Sequence, residues 1–139
     1  MNNRPQFPYV TVRNSQGEVA LRPLLPLILS YGNHSRNVSG LLDTGADVNV
    51  LPYRLGIELG AVWDDQQTAI QLSGNLANYE ARGLILTASV AQFPPIKLAF
   101  VWTHAEAVPL ILGQVNFMLE FDVCFFRSRS LFEIGLKNP

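Results

Sequence analysis

Short apolar runs separated by turn residues recur along the whole chain, and almost none of them keeps a helical period for long. Residues 8–12 and 19–29 flank Asn14-Ser15-Gln16-Gly17, which predicts two strands around a turn. Pro23 and Pro26 fall inside the second run. Proline removes a ladder donor, so they predict an edge position or breaks there. Residues 31–37 are polar and read as a hairpin loop leading into an apolar segment over 38–43. Residues 48–51 run into Pro52, and 53–59 fit one helical turn ending at Gly60. Residues 67–72 and 79–84 alternate around the small, polar tip Ser73-Gly74-Asn75-Leu76-Ala77-Asn78. A further hairpin spans 84–90 and 96–102 across Phe93-Pro94-Pro95, and a short helix is expected around 115–119. The pattern predicts a mostly-β, barrel-like fold without internal repeats.

Composition narrows this. With 139 residues, 48% of them hydrophobic and 15% charged, the chain is expected to form one domain over 1–139, with its core at about 20–135. A net charge of −1 gives no electrostatic reason to bind nucleic acid or anionic lipid. The basic cluster Arg127-Ser128-Arg129 reads as a turn between two strands. No apolar run reaches the roughly 20 residues that span a bilayer, and the first residues, Met1-Asn2-Asn3-Arg4-Pro5-Gln6, carry no apolar signal core. The single Cys124 sits in an apolar strand and reads as a buried thiol. A chain with no internal disulfide fits a reducing compartment, so a cytoplasmic location is expected. His34 and His104 have no metal-ligand spacing, so neither a metal nor another cofactor is expected. Trp63 and Trp102 read as core or cleft-wall residues.

The candidate chemistry lies in Leu41-Leu42-Asp43-Thr44-Gly45-Ala46-Asp47. An Asp-(Ser/Thr)-Gly tripeptide arises by chance in roughly one chain in twenty of this length, so alone it fits an ordinary turn. The flanks change that reading. Leu41, Leu42, Val48, Val50 and Leu51 are apolar, which places the turn between buried segments. Such a turn can present one carboxylate at the floor of a cleft. Gly45 allows a sharp bend and keeps side-chain bulk away, and the Thr44 hydroxyl can lock the turn.

The segment resembles the active-site loop of the pepsin/retropepsin aspartic proteases, and most closely the single-lobe retroviral branch. Three stretches carry the likeness: this loop, Pro109-Leu110-Ile111-Leu112-Gly113-Gln114 followed by Asn116-Phe117-Met118-Leu119, and Leu21-Arg22-Pro23-Leu24. The later strands, Phe121-Asp122-Val123-Cys124-Phe125 and Leu131-Phe132-Glu133-Ile134, look like the closing strands of bacterial free-standing members. The resemblance implies a single-lobe retropepsin-like acid-protease β-barrel with one short C-terminal helix, and an endopeptidase acting on extended peptides.

That chemistry needs two carboxylates across one water, which share a proton because like charges so close cannot both ionise. The chain has one Asp-Thr-Gly, and neither Asp64-Asp65 nor Asp122 offers a second. If Asp43 is catalytic, its partner is Asp43 of another copy, and a homodimer is expected. By resemblance, Thr44 and Gly45 support the loop, while Ala46, Asp47 and the tip residues Ser73, Gly74 and Asn75 contact the peptide. Asp47 can instead pair with Arg22 across the dimer interface, or simply cap a turn. Retroviral enzymes usually carry Arg where this chain has Gln114. That change either makes Arg22 the needed partner or weakens the interface. Val50, Leu72 and Leu110 are candidate walls of apolar subsites. The rival reading is a non-catalytic dimerisation or peptide-binding module of the same fold.

Overall fold

The computed structural model describes residues 4–66, 80–105 and 107–138. Its strands are β1 (Gln6–Pro8), β2 (Val10–Arg13), β3 (Val19–Arg22), β4 (Leu24–Tyr31), β5 (His34–Leu42), β6 (Val50–Pro52), β7 (Ala81–Ser89), β8 (Ile96–Thr103), β9 (Ile111–Leu112), β10 (Phe121–Phe126) and β11 (Leu131–Leu136). Two short helices accompany them, α1 (Tyr53–Glu58) and α2 (Phe117–Glu120). The mostly-β expectation holds. Six strands close a barrel in the order β4-β5-β9-β6-β8-β7, β1-β11-β10 form a separate sheet, and β2 pairs with β3.

The barrel follows from alternation. Along β4, Leu25, Leu27 and Leu29 turn inward and are buried, while Pro26 and Ile28 turn outward. Pro23 does break the run, between β3 and β4. Pro26 does not. The Leu42 N–H donates to the Pro23 carbonyl, so the period of two turns the backbone nitrogen of residue 26 away from β5. On that other side β7 pairs only with Ile28–Ser30, so no ladder donor is missed.

The expected polar loop over 31–37 is corrected. β4 and β5 pair as far as Tyr31 opposite His34, leaving only Gly32 and Asn33 as the turn. The outer residues of β5, Ser35, Arg36 and Asn37, are exposed strand residues. Their polarity reports solvent on both faces of a hairpin arm that overhangs the barrel. The turn at 14–17 is as expected, closed by the Asn14 Oδ1, which accepts from the N–H groups of Gln16 and Glu18 at 2.9 Å each.

The core runs through Leu25, Leu51, Leu98, Phe100, Trp102 and Leu112 and continues into Phe117, Phe121 and Phe132, which join the barrel to the β1-β11-β10 sheet. Phe117 stacks on Phe121 with ring centroids 4.9 Å apart, and Phe7 on Phe132 at 5.4 Å. Trp102 is fully buried, with its indole N–H donating to the Tyr53 carbonyl at 3.0 Å. It is a core residue, and it seats α1 on the barrel.

Candidate active site

The loop carrying Asp43 joins β5 to β6, two strands that are not neighbours. β9 lies between them, parallel to β5 and antiparallel to β6. The loop must therefore arch over the end of β9, where Gly113 follows Leu112. A Cβ on Gly113 would sit 2.5 Å from the Val48 carbonyl oxygen and 2.9 Å from that of Ala46, closer than real Cβ atoms come. Only glycine lets the loop close down on this point.

Backbone hydrogen bonds then stitch the loop to the segment beneath it. The Asp43 N–H donates to the Leu112 carbonyl (3.1 Å), Gln114 N–H to Ala46 (3.0 Å) and Val115 N–H to Asp47 (2.7 Å). The Gln114 side-chain amide donates to the Thr44 carbonyl. Gln114 thus acts on the turn itself, and among the described residues its side chain makes no hydrogen bond to the Asp47 carboxylate.

The turn is closed by Asp43. Its carbonyl accepts from the Ala46 N–H (3.1 Å) and its Oδ1 from the Gly45 N–H (2.9 Å). Within the single chain the turn is held by this pair, and among the described residues the Thr44 hydroxyl makes no hydrogen bond. The φ of Gly45 is not positive. What favours glycine there is space: a Cβ would stand 3.3 Å from Asp43 Oδ1. The carboxylate is half-buried, with Thr44 and Gly45 exposed beside it.

Beneath the loop lies a feature that sequence reasoning missed. Asn49 is completely buried. Its Nδ2 donates to the Ala99 carbonyl (3.1 Å) and to Asn116 Oδ1 (3.0 Å), and its Oδ1 accepts from the Gly113 N–H (2.8 Å). Asn116 Oδ1 also accepts from the Ala99 N–H at 2.7 Å. Two amides therefore fix the loop, the glycine corner and β8 to one another. The signal was a single polar residue within Val48-Asn49-Val50-Leu51.

Other expected site residues are scattered. Arg22 and Asp47 are both exposed and form no ion pair within the chain among the described residues. Ser73, Gly74, Asn75 and Leu72 lie outside the described residues. Val50 and Leu110 are buried in the core, so neither is an open subsite wall in the single chain. A cavity of about 600 Å³ opens elsewhere, between Tyr53, Arg54, His104 and Val108, and no residue of the Asp43 turn lines it. Cys124 is half-buried, and its Sγ accepts from the Arg4 guanidinium at 3.5 Å. Among the described residues no three His, Cys, Asp or Glu side chains gather as a metal site, and no helix is long and apolar enough to cross a membrane.

A solved structure of a retropepsin-like aspartic protease from Rickettsia conorii superposes over 98% of this chain and 94% of its own, with a TM-score of 0.62 at 13% identity. The fold is retropepsin-like. The retroviral protease-like domain of Ddi1 from Leishmania major shares it over 84% of this chain and 95% of its own (TM-score 0.50, 12% identity). No family model matches the sequence, and no curated protein does.

Proposed function

We propose that this chain, acting as one domain, is a cytoplasmic retropepsin-like aspartic endopeptidase. Its active unit is a homodimer that cleaves extended peptides between two Asp43 carboxylates. The observation that carries the reading is the mounting of Asp43. One half-buried carboxylate sits on a turn held from below by Leu112, Gly113 and Gln114, in a fold shared with aspartic proteases.

In the dimer the two Asp43 side chains hold one water and one proton. The ionised carboxylate removes a proton from the water as its oxygen attacks the scissile carbonyl. The protonated one donates to the developing oxyanion, and the tetrahedral intermediate collapses once the leaving nitrogen is protonated. The Gly45 N–H, bound to Asp43 Oδ1, fixes the orientation of the carboxylate. The Ala46 N–H donates to Asp43 and its carbonyl accepts from the Gln114 N–H, so Ala46 is held as a wall of the cleft. Asp47 keeps an exposed carboxylate for the peptide backbone or for Arg22 of the second copy. Ser73, Gly74 and Asn75 are assigned to the lid over the peptide by their place in the sequence.

Asp43→Asn tests this. The substitution keeps the shape and the acceptor for Gly45 but cannot act as a base. Purified variant should unfold like the wild type and cleave nothing from a peptide library that the wild type digests. Proteolysis surviving in the variant would remove Asp43 from the mechanism.

A further inference from the structure

The cavity of about 600 Å³ beside α1 has the makings of a ligand site of its own. Small-molecule pockets usually enclose about 300–1,000 Å³. One wall is Pro52, Tyr53 and Arg54, where β6 passes into α1. The facing wall is the segment after β8, with His104, Ala107 and Val108. Pro52, Tyr53 and Val108 make the interior apolar, and Arg54 and His104 add hydrogen-bond donors at its rim.

The donors are available and one is held in place. The Arg54 and His104 side chains are exposed, and neither has an ion-pair partner among the described residues. The imidazole stacks on Tyr53 with ring centroids 3.9 Å apart and meets the edge of Trp63 at 4.3 Å. Tyr53 in turn stacks on the buried Trp102 at 5.6 Å, so the aromatic wall is anchored to the core. A donor fixed in this way loses little freedom when a ligand binds. Ala107 adds a local signal. Its φ is 62°, and residues other than glycine held in that region cluster at ligand sites.

We propose that this cavity binds a small amphipathic carboxylate, an acid group joined to one aromatic or branched apolar group, outside the cleft that Asp43 serves. The carboxylate bonds to Arg54 and His104, and the apolar group lies against Tyr53 and Val108. A carboxylate matches the guanidinium fork with two parallel N–H···O bonds, whereas a cationic ligand meets Arg54 as a like charge. Two sources carry this chemistry, a free organic acid and the C-terminal residue of a peptide. The position also matters for the rest of the molecule. α1 follows β6, and the segment 104–108 leads to β9, so an occupant bridges the approaches to both strands beside the Asp43 loop.

The probes are phenylpropanoate, N-acetylphenylalanine and N-acetylphenylalaninamide, each titrated into the whole chain. Calorimetry measures the affinity, and tryptophan fluorescence reports on Trp63 beside His104. At least one acid should bind saturably in the millimolar range or below. The amide, which keeps the shape and lacks the charge, should bind about 10- to 100-fold more weakly. Arg54→Glu, at an exposed position, should fold by circular dichroism and weaken the acid by a similar factor. Arg36→Glu, exposed on the β4-β5 arm, and Asp43→Asn should both bind as wild type does. The proposal is overturned if neither acid saturates, if the amide binds as tightly as N-acetylphenylalanine, or if folded Arg54→Glu binds like wild type. Binding lost in Asp43→Asn, or displaced by a peptide with a hydroxyl in place of the scissile carbonyl, puts the acid in the cleft and also overturns it. Saturation by N-acetylphenylalanine assigns the peptide C-terminus as a source, and saturation by phenylpropanoate alone assigns the free acid; either upholds the site. The readout is binding, so a chain that cleaves no peptide tests the proposal equally well.

Discussion

Replacing Asn49 with leucine keeps the volume and removes the amide. Two backbone groups then lose their partner, the buried Gly113 N–H and the part-buried Ala99 carbonyl. Each orphaned group costs about 1–3 kcal/mol, and the extra apolar burial of leucine offsets only part of it. The loss should be about 2–5 kcal/mol, a large share of the 5–15 kcal/mol that holds a typical domain together. For a chain of this size that lowers Tm by roughly 8–20 °C. Chemical denaturation of Asn49→Leu, Asn116→Leu and the double variant measures it. The two amides bond to each other and to Ala99, so their effects should couple by about 1–3 kcal/mol and not add. Asn49→Asp offers a check on sign. At neutral pH it buries a carboxylate against two acceptor oxygens, which raises its pKa in the folded state. Its stability should therefore improve as pH falls and protonation restores a donor, and worsen as pH rises. A loss below about 1 kcal/mol for Asn49→Leu, with simple additivity, would refute the idea that this pair fixes the loop.

Gly113→Ala should cost at least about 2 kcal/mol and lower activity further than stability, because the added methyl pushes directly on the Val48 and Ala46 carbonyls of the loop; urea melts and peptide cleavage, compared on folded protein, check it. Peptide cleavage should follow a bell on the acid side of neutrality, rising as one carboxylate of the pair ionises and falling as the second does; a monotonic profile from pH 3 to 8 contradicts a shared proton. Chelators and thiol reagents should leave cleavage unchanged, whereas a peptide with a hydroxyl in place of the scissile carbonyl should inhibit it strongly by occupying the place of the intermediate; inhibition by chelator alone would point to different chemistry.

The barrel was legible wherever one face of a strand meets solvent. β4 and β7 announce themselves by alternation, β8 by a continuous apolar run, and Gly60 correctly ends α1. Residues 34–37 were misread because a strand with water on both faces has no alternation to show. At the site, the turn was visible in Asp43-Thr44-Gly45, but the reasons for its residues were not. The space Gly45 leaves is taken by the Asp43 carboxylate of its own loop, and Thr44 offers its carbonyl to Gln114. The Asn49–Asn116 bond joins positions 67 residues apart, and no local pattern encodes such a distance. Val50 and Leu110 look like cleft residues in sequence because apolar subsites and apolar cores use the same side chains.

The central claim is that two copies of Asp43 make one site. Wild-type chain mixed with Asp43→Asn chain, and allowed to exchange, tests it most directly. If both carboxylates are needed, mixed dimers are dead, and activity per wild-type chain should fall to about half at equal amounts and continue falling as the variant is added in excess. Activity per wild-type chain that stays constant at every ratio, with exchange verified, would show that each Asp43 works alone and would contradict the account.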